Sequence, residues 1–492
     1  MRGIYNSVRP LIDFRPVLFI IGILMSTLAV AMFVPAAADL AVGNQEWQVF
    51  ATSAALTLFI GIMLVLTTRS KMRNLSLRQA FILTTLSWLL MPAVAALPLI
   101  FADLDLSYTD AFFEAMSGLT TTGSTVIIGL DQTKPGILLW RALLQWLGGI
   151  GIIAMAISIL PLLQVGGMQL FRMESSDTSD KVMPRAAQIV TAIAVIYVVL
   201  TLLCALIYWL FDMTGFDAMA HAMTTIATGG FSTHDASLGF YQDARIDITA
   251  TLFMLIGSLP FVLYLQVIRG RPGGLLRDSQ VRWFLVIAAF AVGSVTMWLL
   301  RAEHDDLPST LQFASFNVVS VLTGTGYATQ DFSAWGSFPL AILFFLMFVG
   351  GCAGSTTCGV KVFRIQVLYA TARCQMRRLL QPHGVFIPYY NKRPIPEEVT
   401  ASVMGFFFLY VVAFGFIAIG LGVLGLDFLT ATSGAATAIS NVGPGLGPVI
   451  GPSSTFASLP DEAKWLLSLG MLLGRLELFT VLVLLLPSFW RN

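Results

Sequence analysis

The sequence predicts an all-α polytopic membrane protein: four pseudo-symmetric repeats of span, pore loop and span around a central pore, after two extra N-terminal spans. Composition, ten long apolar stretches and a pattern that returns four times predict it. Of 492 residues, 57% are hydrophobic and 11% charged, whereas a soluble domain carries about 25% charged residues. Mean hydropathy is +0.81. These values exclude a soluble globular domain, a disordered chain and a nucleic-acid-binding protein. The net charge of +1 points to no partner by itself.

Apolar stretches run over residues 16–38, 47–68, 80–101, 137–163, 186–211, 248–268, 283–300, 338–368, 401–426 and 465–487. At 1.5 Å per residue each is long enough to cross about 30 Å of hydrocarbon. The first follows Arg2, Arg9 and Arg15 and ends in Pro35-Ala36-Ala37-Ala38. Its apolar run exceeds that of a cleavable signal, so a retained anchor is expected. With the N-terminus in the cytoplasm, most of the 28 basic residues fall inside, Arg364 among them, and the C-terminus does too. Lys134, Arg141, Arg245, Arg301 and Lys464 fall outside, while Lys361 and Arg475 fall within spans. Carboxylates show the reverse bias, which makes an outer vestibule that concentrates cations.

The outer loops repeat. Residues 110–123 (DAFFEAMSGLTTTG) and 217–230 (DAMAHAMTTIATGG) agree without a gap at six of fourteen positions, and 313–326 (FASFNVVSVLTGTG) matches the first at seven. Residues 430–443 (TATSGAATAISNVG) keep mainly Ala431, Ala435 and Gly443. The chain therefore divides into an N-terminal pair of spans at 1–78 and four repeats at 79–185, 186–279, 280–398 and 399–492. Each motif opens on a helix-start signal (Asp110, Asp217, Pro308-Ser309, Asp427) and runs about four turns before glycine stops it. That is too short to cross the bilayer, and a re-entrant half-helix is tolerated only where it is buried in protein or lines a watery cavity. Four C-terminal helix ends, each carrying about half a negative charge, then converge at mid-membrane on a cation site. The Thr-x-Gly backbone that follows can turn its carbonyls inward to replace the hydration shell of a monovalent cation.

These TTTGST, ATGGFST, TGTGYAT and SNVGPGLGP loops, together with the extra N-terminal pair, closely resemble the Trk/Ktr/HKT superfamily of potassium transporters, and within it the TrkH-type bacterial pore subunits, over essentially the whole chain. The resemblance implies potassium uptake across the bacterial inner membrane, potassium ions in the filter, and filter glycines at Gly123, Gly230, Gly326 and Gly443. Thr121, Thr122, Thr228, Gly229, Thr325, Asn441 and Val442 would then supply carbonyls. A sodium-permeable or sodium-coupled member of the superfamily is the alternative, since short Thr-x-Gly motifs offer few coordination layers; passive and proton-coupled transport both stay open. Gly324 and Asn441 stand where the first two loops have Thr121 and Thr228, so an uneven ring with a loose outer layer is expected. In the second loop either Gly229 or Gly230 can be the central glycine, and the gapless alignment favours Gly230.

Residues 350–359, GGCAGSTTCG, hold Gly350, Gly351, Gly354 and Gly359 within one expected span. At about 1 kcal/mol per glycine, this stretch gives up about 4 kcal/mol of helix preference and is predicted to be unwound. The resemblance implies a gating loop there. Lys361 follows it, pairing with a carbonyl or reaching the cytoplasmic interface. Arg475 lies about 15 Å into the last span, near the bilayer centre. A central arginine costs at least about 3 kcal/mol on insertion scales, so it needs a wet cavity or a partner. The resemblance makes it an electrostatic gate in the permeation path; the alternative is a structural pair with Glu477.

Cys204, Cys352, Cys358 and Cys374 show no metal-ligand or disulfide spacing and read as small buried hydrophobes. His221, His234, His304 and His383 are scattered, and residues 443–451 lack the Lys-Ser/Thr of a phosphate loop, so a polytopic enzyme finds no support. The longest inner segment, 369–399, shows neither a fold pattern nor a nucleotide motif. The resemblance implies a homodimer on a cytosolic nucleotide-binding, TrkA-like regulatory subunit. Its docking surface would be the basic stretches 172–185, 269–282 and 373–393, which the positive-inside rule and anionic lipid also explain.

Overall fold

A computed structural model describes residues 12–69, 75–158, 182–302, 306–391 and 393–491. The basic stretch at 172–181 lies outside them. Among the described residues, seven helices are long and apolar enough to cross a membrane: Arg15–Ala41, Trp47–Thr68, Leu77–Phe101, Pro135–Ala156, Gln188–Leu210, Ser279–Ala302 and Glu397–Val423. Two more expected spans are bent pairs, Ala244–Gly257 with Phe261–Ile268 at 95°, and Asp461–Arg475 with Phe479–Leu485 at 106°. Pro260 accounts for the first bend, because it starts a new helix and cannot continue the old one. At the second, Glu477 and Leu478 take φ of 63° and 40°.

The remaining expected span, 338–368, is not one helix. Ser337–Phe348 stops after 12 residues, irregular backbone follows, and a 19-residue helix, Val362–Leu380, begins beyond it. That later helix corrects the expectation for 369–399, since residues 369–380 of that segment are helical and a short hairpin, Tyr389–Tyr390 with Arg393–Pro394, follows. Arg364 is likewise no cytoplasmic loop residue. It is fully buried, pairs with Glu477 and lies 3.8 Å from the centre of the Phe406 ring.

The N-terminal pair packs through small residues: a Cβ at Gly22 would lie 2.8 Å from the Gly61 carbonyl oxygen, so the two backbones nearly touch. Met32 and Phe50 of that pair share a core with Trp140 of the first repeat. Buried Asp39 fastens the pair to this repeat, accepting from the Gly136 N–H at 2.8 Å at the start of Pro135–Ser158.

Candidate functional site

Four half-helices, Tyr108–Leu119, Gly215–Ile226, Leu307–Leu322 and Phe428–Ser440, are mostly buried. Their N-caps are Ser107, Thr214, Asp306 and Asp427. Three helices thus start two or three residues before the expected signals. Asp110 and Asp217 sit one turn inside and accept from the capping hydroxyls at 2.8 and 2.7 Å. Both roles place acid at the positive end of a helix, where it is stabilising. Hydrogen bonds from Ser309 and Thr430 lower the pKa of Asp306 and Asp427, which keeps this end of the half-helices anionic.

The C-terminal ends share one geometry. Thr121, Thr228, Gly324 and Asn441 all adopt the left-handed region, with φ of 53°, 49°, 67° and 54°. The N–H of the next residue reaches back five residues: Thr122 to the Ser117 carbonyl at 2.8 Å, Gly229 to Thr224 at 2.9 Å, Thr325 to Ser320 at 2.9 Å and Val442 to Thr437 at 3.1 Å. Each half-helix therefore closes in the same left-handed cap. The uneven ring expected from Gly324 and Asn441 is thus not uneven in its backbone. Asparagine is the non-glycine residue that tolerates this region best, and it adds a hydrogen bond of 2.8 Å from its amide to the Thr122 hydroxyl.

Two residues further on, Gly123, Gly230, Gly326 and Gly443 also have positive φ, between 77° and 114°. Gly230, with φ 77°, is the equivalent of the other three; Gly229 is not among the positive-φ glycines. A Cβ on Gly123 would meet the carbonyl oxygen of Gly229, one on Gly230 that of Thr325, one on Gly326 that of Val442, and one on Gly443 that of Thr122 at 2.9 Å. The contacts run from the first loop to the second, third, fourth and back to the first. Eight of the twelve loop residues singled out in the sequence are thereby brought into one closed ring, and the other four, Thr121, Thr228, Gly324 and Asn441, form the left-handed caps beside it.

Behind the ring each half-helix holds its own outgoing strand. Glu114 Oε2 accepts from the Val126 N–H at 2.8 Å, Asn317 Oδ1 from Thr329 N–H at 3.2 Å, and Ser433 Oγ from Leu446 N–H at 3.0 Å. His221 Nε2 lies 2.9 Å from the Ser232 hydroxyl. Glu114, His221 and Asn317 occupy the same position of the fourteen-residue motif. In the fourth loop that position is Gly434, and the neighbouring Ser433 takes the role.

Below the ring the backbone between Phe348 and Val362 is irregular, with Val349 bridged to Val360. Gly350, Gly351, Gly354 and Gly359 lie on it, and a Cβ on Gly350 would collide with the Cys358 carbonyl, so this turn needs glycine. Thr356 connects it to the ring, its hydroxyl 3.0 Å from that of Thr228 and donating to the carbonyls of Ile226 and Gly257 at 3.2 and 3.0 Å. Arg475, 2% exposed, donates to the carbonyls of Thr356 at 3.2 Å and Gly148 at 3.0 Å, and touches Cys358 Sγ at 2.6 Å. Its guanidinium lies 5.5 Å from the centre of a Trp88 ring. Among the described residues it has no carboxylate partner, and Glu477 pairs with Arg364 instead. Lys361 Nζ donates to the Thr357 carbonyl. A cavity of about 30 Å³, lined by Ser355, Lys361 and Arg475 among others, separates these groups. It has space for a water or two.

Sequence reasoning missed Glu114, Arg141, Gln145, Thr356 and Cys358. Glu114 carried a signal, as a carboxylate amid apolar residues on a buried half-helix. Cys358 looked like a small hydrophobe and is a contact of Arg475.

The family model described as TrkH, cation transport protein, matches residues 46–491. The Trk system potassium uptake protein TrkI of Halomonas elongata is 47% identical over 478 residues, 97% of each chain. The TrkH protein of Vibrio parahaemolyticus is 39% identical, covering 98% of this chain and all of that one. The crystal structure of the potassium transporter TrkH from Vibrio parahaemolyticus superposes with a TM-score of 0.91 over 98% of this chain, at 37% identity. By extent and identity, the chain belongs to the TrkH family of cation transport proteins, which are multi-pass membrane transporters and not enzymes.

Proposed function

We propose that the chain is a potassium uptake pore of the bacterial inner membrane, with both termini cytoplasmic, and that the ring of pore loops is its selectivity filter. The closed ring of contacts at Gly123, Gly230, Gly326 and Gly443 carries this proposal. Four helix ends of negative character face it, and the backbone at each position is held by a left-handed cap and a polar side chain behind it. Such carbonyls are preorganised: they offer a dehydrated cation fixed dipoles instead of water. Relatives named as potassium uptake proteins support potassium as the ion.

Residues 350–359, Lys361 and Arg475 form the gate in this proposal. A guanidinium held by neutral carbonyls, with no carboxylate paired to it among the described residues, puts a positive charge beneath the filter, which repels cations in a site of low dielectric. Opening withdraws the irregular backbone and Arg475 together, since the Thr356 carbonyl joins them. A homodimer docked on a cytosolic nucleotide-binding subunit would drive that movement through the basic inner surface at 269–282 and 373–393. Flux of potassium, rubidium, sodium and lithium into proteoliposomes holding the purified protein tests the proposal. Potassium and rubidium are expected to enter in preference; sodium entering as readily supports the sodium-permeable alternative, and no monovalent flux with or without a cytosolic partner overturns it.

A further inference from the structure

Arg141 and Gln145 stand one turn apart on Pro135–Ser158, so they project from one face of the helix. Both reach across into the pore loop of the next repeat. Gln145 donates from Nε2 to the Gly229 carbonyl at 2.6 Å and accepts at Oε1 from the Phe231 N–H at 3.0 Å. One amide thus grips both sides of Gly230. Arg141 holds the next residue, with Nη1 donating to the Ser232 carbonyl at 2.8 Å and the guanidinium 4.1 Å from the centre of the Phe231 ring. Its other nitrogens are aimed by Glu114, at 2.7 Å, and the Thr125 hydroxyl, at 3.2 Å. Gln145 is fully buried and Arg141 is 1% exposed.

This clamp explains the double glycine. Gly229 has no left-handed backbone, yet a Cβ there would overlap the Gln145 amide. Thr122, Thr325 and Val442, its counterparts, all carry side chains. Gly229 is glycine because Gln145 fills the space a side chain would need. Its carbonyl is also the one of the four ring carbonyls that, among the described residues, accepts a side-chain hydrogen bond. An N–H on that oxygen fixes its direction and sets a partial positive charge beside it, so the second loop offers an ion a more rigid ligand with a weaker net field than its neighbours do.

We infer that Arg141 and Gln145 are positioning residues that set cation discrimination by fixing the Gly229 carbonyl and the strand leaving the second loop. The inference rests on the filter proposal above. It is tested by potassium-over-sodium permeability ratios in proteoliposomes for Gln145→Ala, for the double variant Gln145→Ala with Gly229→Thr, and for Gly326→Ser as a control on the filter itself. Gln145→Ala is expected to lower the ratio about fivefold, the scale of one buried hydrogen bond. Gly229→Thr alone should abolish flux, and the double variant should regain flux at a lowered ratio. An unchanged ratio in Gln145→Ala while Gly326→Ser loses selectivity overturns the inference alone. Unchanged ratios in both overturn the filter proposal and the inference with it. Should Gln145→Ala not fold, the similarly sized Gln145→Met replaces it, filling the space while losing both the donor to Gly229 and the acceptor for Phe231 N–H; the same fall is expected, and an unchanged ratio counts against the clamp.

Discussion

Around the four pore loops nearly every feature occurs four times, whereas between residues 349 and 361 nearly every feature occurs once. Above, a left-handed cap, a glycine and a carbonyl recur in each repeat, and the set closes on itself. Below, one broken span, one arginine and one lysine meet on neutral acceptors. Each arrangement suits what its part has to do. A site that replaces a hydration shell needs ligands on all sides at matched distances, which repetition supplies. A barrier that moves needs few contacts, so that it has two arrangements of similar energy.

The sharpest way to break this comparison is to damage the ring at one of its four positions. Gly326→Ser puts a Cβ against the Val442 carbonyl and into a backbone with φ 83°. Potassium-over-sodium selectivity should fall by about tenfold or more, read as a permeability ratio, with flux itself retained. Next comes the lower region. Arg475→Ala should raise basal flux about five- to tenfold while leaving the ratio unchanged, because it removes a charge barrier of roughly a kcal/mol from the ion path. A fall in flux with normal folding would make Arg475 a structural residue and leave the gate elsewhere. Thr356→Val sits on the boundary between the two regions. Loss of its hydroxyl bonds to Ile226 and Gly257 should loosen the irregular segment and raise basal flux about two- to fivefold. If the ratio shifts as well, filter and gate are one unit. The smallest effect on basal flux is expected from reversing Arg377, Arg378 and Arg393 together. If the proposed cytosolic nucleotide-binding subunit docks there, nucleotide-dependent flux in its presence should disappear while basal flux stays; an unaltered nucleotide response leaves lipid contact as the role of those charges.

Repetition also decided what was legible in the sequence. The motif at 110–123 is visible because it recurs, and its closing glycine marks one left-handed position, whereas the β-branched Thr121 and Thr228 give no sign of the other. The coil at 350–359 is visible through glycine alone. What stayed hidden depends on contacts between distant segments. Arg141 read as an outer loop charge because no local pattern reveals that Glu114 and the Ser232 carbonyl converge on it. Gln145 had no signal except the surplus glycine at 229, and that clue makes sense only once the two segments are seen to touch. The pairing of Glu477 with Arg364, 113 residues apart in sequence, was equally beyond reach. Helix starts were displaced by a turn because Asp110 and Asp217 are good first-turn acids as well as good caps, and the serine and threonine before them cap more closely.

The central claim, that four pore loops act as one filter, is tested most directly by the selectivity of the same substitution made once in each loop. Gly123→Ala, Gly230→Ala, Gly326→Ala and Gly443→Ala should each lower the potassium-over-sodium permeability ratio of the purified protein in proteoliposomes, because each adds a Cβ beside a neighbouring carbonyl of one ring. Retention of the wild-type ratio in all four folded variants would contradict it.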